Sequence, residues 1–395
     1  MKILFFHIPS LGMYHEIEPI LLELQERGHQ VIHYNEAGFR EYVQNAPFCF
    51  SPYSSYEGYF PNRFRSSMNL YELGLLLLET AEHTVDFVEA AVLREWPDLI
   101  LHSKFTAAPK IAARKHGIPA ACLTTGFVFD PRTILDAERE KRNPVDMSNV
   151  SSFLRFQKRA KRFYNQHLDG SSDSSDIFVN DEALHLVLGL EMLQPTRSSL
   201  YSHCSFVGPT VRIAEYSKSY ELIYVSLGSV FVDNKVFFQT CIEALGMPGR
   251  RAIISLSGHF SPEEFGKVPD SVELCHFVQQ TKILQKAAVF VTHGGNSSVS
   301  EAIYCETPMV VVPQIPEQVL RAQLIQRRML GRYLDPSDVT VDRLRCTVTE
   351  VLEDPLFRHN VQEFKASLPK IPAAITACNQ IEEFALKNGK RLVKQ

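Results

Sequence analysis

Unbroken apolar runs and helically spaced apolar residues alternate along this chain. Lys2–His7 (KILFFH) predicts a buried strand, Ile8–Gly12 with Pro9 and Gly12 a loop, and Glu16–Arg27 a helix. That helix ends at Arg27-Gly28-His29, where glycine suits a C-terminus. Gln30–Tyr34 (QVIHY) predicts the next strand, and this β-α-β opening favours a parallel sheet with right-handed crossovers. Strands over Leu99–His102 and Ala120–Leu123, with a helix over Ala107–His116 between them, complete an N-terminal α/β domain.

Residues 131–175 differ in character. Glu138–Arg142 and Arg155–Arg162 are dense in charge and Ser171–Asp176 (SSDSSD) is polar and of low complexity, which predicts a helical excursion followed by a flexible loop. The basic run Arg155–Arg162 (RFQKRAKR) reads as a solvated helix face. At Phe206-Val207-Gly208-Pro209 the chain leaves the first domain and a second α/β set begins. It comprises strands over Leu222–Ser226, Ala252–Ser255, Val272–Cys275, Val289–Thr292 and Met309–Pro313, with helices over Lys235–Ala244, Ser297–Ile303 and Glu317–Arg328. A last helical pattern runs over Ala373–Lys387. The expected architecture is α/β, with two doubly wound domains facing across a cleft.

Composition narrows the classes. A length of 395 residues suits two domains, or three at most, and 45% hydrophobic with 22% charged residues is an ordinary globular balance. With 41 basic and 45 acidic residues the net charge is −4, so nothing global draws the chain to nucleic acid or anionic lipid, and any phosphate site must be local. The eight cysteines form no C-x-x-C pair, which argues against zinc and against a disulfide framework. The start reads as a strand rather than a signal peptide, and no uncharged run approaches the ~18 residues of a membrane span, so a cytoplasmic protein without a transmembrane segment is expected.

The densest chemistry lies in Val289–Gln318, where a buried strand runs into His293-Gly294-Gly295, then Asn296-Ser297-Ser298, then a helix. Glycines let a diphosphate approach the backbone, and the first N–H groups of a helix favour negative charge, with His293 and the serines as further donors. That predicts a phosphate cradle requiring no metal. A second strand ends in Tyr224-Val225-Ser226-Leu227-Gly228-Ser229, at the carboxyl edge where open α/β sheets bind ligands. In Phe277-Val278-Gln279-Gln280 the ring suits stacking on a base. Asp335, Asp338 and Glu263-Glu264 lack metal-ligand spacing and read as solvated loops.

Taken together, these segments resemble the GT-B fold, family 1 glycosyltransferases, in particular the bacterial macrolide-glycosyltransferase-like branch. The likeness extends through the Gly12 loop, Arg27-Gly28-His29, Pro97-Asp98-Leu99-Ile100, Gln194-Pro195, Phe206-Val207-Gly208-Pro209, Val225–Ser229 and His293–Gln318. It implies two Rossmann-like domains: an N-terminal acceptor-binding domain over 1–212 and a C-terminal nucleotide-sugar-binding domain over 213–372. A terminal helix in 373–395 would pack back on the first. By the same resemblance Ser229, His293, Gly294, Gly295, Ser297 and Ser298 hold the diphosphate and Glu301 the ribose. Phe277, Val278 and Gln280 meet the base, and Glu317 and Gln318 the sugar hydroxyls. Phe277 stands where tryptophan is common and Gln279 where proline is common.

The implied activity is inverting, metal-independent transfer of a sugar from a UDP- or dTDP-activated donor to a small, largely apolar natural product. The donor is a co-substrate and no cofactor is expected. The N-terminal aromatics Phe48, Phe50, Tyr53, Tyr56, Tyr59 and Phe60 suit such an acceptor, whose specificity would lie in loop-like stretches at 50–85 and 130–175. Such transfer needs a base at the acceptor hydroxyl, which the family supplies as a histidine after the loop glycine, oriented by an aspartate. Here Met13 and Ser103 occupy those positions. His15 and Glu16 are the replacement candidates. Two other readings remain: a different reaction on a small metabolite, or a non-catalytic nucleotide-binding helper. The sequence leaves a homodimer open.

Overall fold

Alternate residues of the first strand enter different cores, and that alternation organises the N-terminal half. The computed structural model describes residues 1–53, 68, 70–128, 147–168, 174, 176–195, 203–211, 213, 220, 222–228, 234–258 and 260–388. The chain divides into two compact units, one of Met1–Glu191, Thr196–Thr210 and Ile371–Gln395, the other of Met192–Pro195 and Val211–Lys370.

In unit 1 the strands β1 (Lys2–Phe6), β2 (Gln30–Asn35), β3 (Cys49–Pro52), β4 (Leu99–Ser103), β5 (Ala120–Thr124), β6 (Leu184–Val187) and β7 (Cys204–Phe206) form a parallel sheet in the order β3-β2-β1-β4-β5-β6-β7. Leu4 and Phe6 face a core shared with α2 (Leu70–Glu95), α3 (Ala107–His116) and α4 (Met147–His167). Ile3 and Phe5 face the opposite core, shared with α1 (Leu11–Glu26) and α10 (Ala373–Asn388). Period-2 alternation thus puts apolar residues on both faces, which is why the strands read as continuous apolar runs. Helix α10 is held to α1 by Arg27, whose Nη1 donates to Asn379 and Glu382 at 2.8 Å each, and by His29 Nε2 against Glu382 Oε1 at 2.8 Å.

In unit 2 the strands β8 (Leu222–Ser226), β9 (Arg251–Ser255), β10 (Val272–Cys275), β11 (Ala287–Thr292), β12 (Met309–Val311) and β13 (Gly331–Tyr333) form a second parallel sheet, ordered β10-β9-β8-β11-β12-β13. Its principal helices are α5 (Lys235–Leu245), α6 (Asn296–Tyr304), α7 (Pro316–Arg327), α8 (Val341–Glu353) and α9 (Pro355–Ala366). Both units are Rossmann-like parallel α/β layers.

Two expectations change. Helix α1 begins at Leu11, not Glu16, so Gly12 and Met13 lie in its first turn rather than in a loop. Burial of Tyr14, Ile17, Ile20, Leu21 and Leu24 along one face outweighs the ~0.5–1 kcal/mol that a helical glycine costs. The stretch 50–85 is not uniformly loop-like, because 70–85 belongs to the 26-residue helix α2. In 130–175 the excursion includes helix α4, where Phe156 and Ala160 are buried, Arg159 Nε donates to Glu82 Oε1 at 3.1 Å, and Arg155, Lys158, Lys161 and Arg162 are exposed. Glu138–Arg142 and most of Ser171–Asp176 lie outside the described residues, as do Tyr56, Tyr59 and Phe60.

Candidate functional site

Strand order reverses direction between β8 and β11 in unit 2, and a parallel sheet opens a crevice at the carboxyl ends of the strands flanking such a point. The two strands pair in register, Thr292 opposite Ser226, so Leu227-Gly228 and His293-Gly294-Gly295 emerge side by side at that edge. The His293 ring fills the space between the two segments. A Cβ on Gly228 would stand 2.7 Å from His293 Cε1, and one on Gly295 would stand 2.5 Å from His293 Nε2. Any side chain at either position would dislodge the ring, and Gly228 also needs glycine for its φ of +76°.

Gly295 is the N-cap of α6, so the ring lies where that helix presents its leading N–H groups. His293 Nδ1 is buried without a hydrogen-bond partner. Burial, and then the nearby Arg321 charge, lower the His293 pKa to about 4. The imidazole is therefore neutral near pH 7 and offers an N–H rather than a full positive charge.

Arg321 is the residue that sequence reading missed. It lies on α7, four residues beyond Glu317, and that spacing reads as an exposed ion pair. The structure buries it: Nη1 donates to the Gly294 carbonyl at 2.8 Å and Nη2 to Glu317 Oε1 at 2.8 Å. The guanidinium thus ties the glycine turn to the carboxylate expected to meet the sugar. Neighbouring Gln318 is buried, its Oε1 accepting the Gln314 backbone N–H at 2.7 Å, which leaves its amide nitrogen for other contacts.

Below the cradle, Gln280 gathers three groups. Its Nε2 donates to Glu301 Oε2 at 2.8 Å and to Ser298 Oγ at 3.2 Å, and its Oε1 accepts from Tyr224 Oη at 3.3 Å. Burial raises the Glu301 pKa and Gln280 opposes the shift. The structure thereby joins Gln280, Ser298 and Glu301. Phe277 is 72% exposed, and its ring lies over Gly258, where a Cβ would meet Cζ at 2.5 Å. An open aromatic face seated on a glycine is a ready stacking platform. Val278, Gly294 and Ser297 lie among the described residues and Ser229 lies outside them.

The sheet of unit 1 has its own switch point, between β1 and β4. A cavity there is lined by His7, Glu36, Tyr53, Thr80, Thr84 and Phe105 among others. Met13 packs against the core beside it, and Ser103, at the end of β4, is buried with no partner for its Oγ. His15 is exposed and Glu16 is buried, so the two neighbours on α1 point apart and do not act as a pair.

Known proteins similar to this chain are glycosyltransferases and a biosynthetic relative of them. Residues 242–383 match the family described as "Erythromycin biosynthesis protein CIII-like, C-terminal domain". The chain is 26% identical to the NDP-glycosyltransferase YjiC of Bacillus licheniformis, over 97% of this chain and 98% of that one. It is 27% identical to the oleandomycin glycosyltransferase of Streptomyces antibioticus, over 72% and 68%. Among solved structures, the kitacinnamycin glycotransferase superposes with a TM-score of 0.82 at 25% identity, covering 97% of this chain and 98% of that one. No helix among the described residues is long and apolar enough to cross a membrane.

Proposed function

We propose, from the premise that this chain is a GT-B family 1 glycosyltransferase of macrolide-glycosyltransferase-like type, that it moves a sugar from a UDP- or dTDP-activated donor to a small, largely apolar natural product. Transfer is inverting and draws on no metal ion. The acceptor oxygen bonds to the anomeric carbon on the face opposite the diphosphate, the carbon–diphosphate bond breaks, and the nucleoside diphosphate leaves with the electron pair.

The observation that carries this reading is the His293 ring lodged between Gly228 and Gly295 at the switch point, beside the leading end of α6. A diphosphate there meets backbone N–H groups and the imidazole N–H, while Phe277 stacks on the base and Glu301 and Glu317 face hydroxyls. On the acceptor side the thioether of Met13 takes no proton and the hydroxyl of Ser103 is a weak base. The acceptor proton therefore goes to the exposed His15, or the acceptor arrives already ionised.

Met13 and Ser103 also favour a second reading, a nucleotide-binding helper without transferase activity. One experiment separates the two. UDP- and dTDP-sugars are incubated with phenolic and neutral aglycones, glycoside and free diphosphate are followed by mass spectrometry, and nucleotide affinity is measured by calorimetry. Transfer with phenols of low pKa supports the first reading. Tight nucleotide binding with no product from any acceptor supports the second, and absence of nucleotide binding overturns both.

A further inference from the structure

We propose that unit 1 carries a binding site for a divalent transition-metal ion of the zinc type, ligated by His185, His203 and Cys204, with the Asp181 carboxylate orienting both imidazoles. One ligand atom from each of the three residues lies within 4.8 Å of the other two. Ligands at about 2.0–2.3 Å from a tetrahedral zinc stand roughly 3.3–3.8 Å apart, so closure on an ion needs side-chain shifts on the order of 1 Å.

Strand register creates the cluster. His185 pairs with Cys204 across β6 and β7, so residues distant in sequence become lateral neighbours on one face. Asp181 precedes β6 and touches both rings, Oδ1 against His185 Nδ1 at 2.7 Å and Oδ2 against His203 Nε2 at 2.8 Å. These contacts leave His185 Nε2 and His203 Nδ1 to face an ion, which would take the place of the Thr124 hydroxyl now 2.8 Å from His185 Nε2. Carboxylate–imidazole contacts of this kind fix the orientation of metal-binding histidines. Imidazole and thiolate ligands together select zinc-like ions over magnesium or calcium.

His203 is exposed and Asp181 half-buried, which gives an ion a path in, while His185 is buried. The cluster lies toward the amino ends of β6 and β7, away from the carboxyl edge expected to bind acceptor. Its role would be to hold that edge of the sheet, independent of sugar transfer. The absence of C-x-x-C spacing hid it in the sequence.

The test uses the full chain without a polyhistidine tag, stripped with chelator under reductant and titrated with Co(II). One cobalt per chain is expected, with visible d–d bands and a thiolate-to-metal charge-transfer band. Cys204→Ser should remove the charge-transfer band and His203→Ala should weaken affinity roughly 10-fold or more. Cys346→Ser, at an exposed thiol elsewhere, should change neither. Zinc should raise the Tm of the parent and not of His203→Ala, with the metal-free variants melting like the metal-free parent. Absence of stoichiometric cobalt bands, or a charge-transfer band that survives Cys204→Ser, would overturn the proposal.

Discussion

Replacing Gly295 by alanine tests the cradle through a single steric contact. The backbone there has φ −62° and ψ 151°, which alanine adopts without strain, so the fold should tolerate the change. The new Cβ would stand 2.5 Å from His293 Nε2, and ordinary contact begins at 3.4 Å, so the ring must retreat by about 0.9 Å or rotate away. Under the proposed reading, either movement breaks the hydrogen bond from the imidazole to a phosphate oxygen. A bond to a charged group contributes about 1.5–3 kcal/mol, which corresponds to roughly 10- to 100-fold in Kd at ~1.4 kcal/mol per decade. UDP and dTDP affinities by calorimetry should fall by that factor while the Tm stays within about 2 °C. His293→Ala should cost a similar factor, and with the ring gone the Gly295→Ala clash disappears, so the double variant should bind like His293→Ala alone. Additive losses in that cycle, or full affinity in Gly295→Ala, would refute the placement of the diphosphate against this ring.

Other residues give independent readouts. Phe277→Ala should weaken nucleotide binding by roughly 10-fold at unchanged Tm, because the ring is exposed and its main role is stacking, whereas Phe277→Trp should bind at least as tightly. Arg321→Met should lower both nucleotide affinity and Tm, because it leaves the Gly294 carbonyl and Glu317 without their buried donor; a normal Kd in a folded variant would remove Arg321 from the cradle. His33 is buried against His7 with neither ring nitrogen bonded, and burial pushes its pKa well below 6.5 and that of His7 to about 3. Both pKa values fall below their unfolded values, so the unfolded chain takes up more protons and stability is lost as pH drops from about 6.5 toward 3. His33→Phe should raise stability by about 1–3 kcal/mol and flatten that acid limb in melts across pH, and an unchanged slope would contradict the assignment.

What was legible in the sequence follows from how each element is buried. Strands β1, β8 and β11 sit inside parallel sheets and present unbroken apolar runs, and the glycine turn after β11 marks its own chemistry. Strands β6 and β7 went unread because His185, Cys204 and Ser205 interrupt the apolar pattern. Helix α2 carries a run of four leucines that meets neighbours on several sides and so lacks a clean helical stripe. Helices α8 and α9 did leave signals: the Thr340 side chain accepts from the Arg343 N–H, and Asp354 caps a helix whose first residue is Pro355. The site divides the same way. Glycines and the histidine are local and readable, while Arg321 matters through a carbonyl that only the folded turn brings to it.

The electrostatics of the cradle set how the leaving group must be stabilised under the proposed reading. His293 is neutral, and the charge of Arg321 is matched by Glu317. Negative charge developing on the departing diphosphate therefore meets N–H dipoles, from the leading turn of α6 and from the imidazole, rather than a fixed cation. Dipoles at hydrogen-bond distance act only when the geometry is held closely, because their field falls off faster than that of a charge. That requirement explains why the ring is gripped between Gly228 and Gly295 and why Arg321 anchors the carbonyl between them. It also sets a pH signature: diphosphate binding beside His293 should raise the imidazole pKa from about 4, so binding near pH 5 should take up protons. Calorimetry in buffers of different ionisation enthalpy would report that uptake, His293→Ala should abolish it, and uptake persisting in that variant would place the titrating group elsewhere.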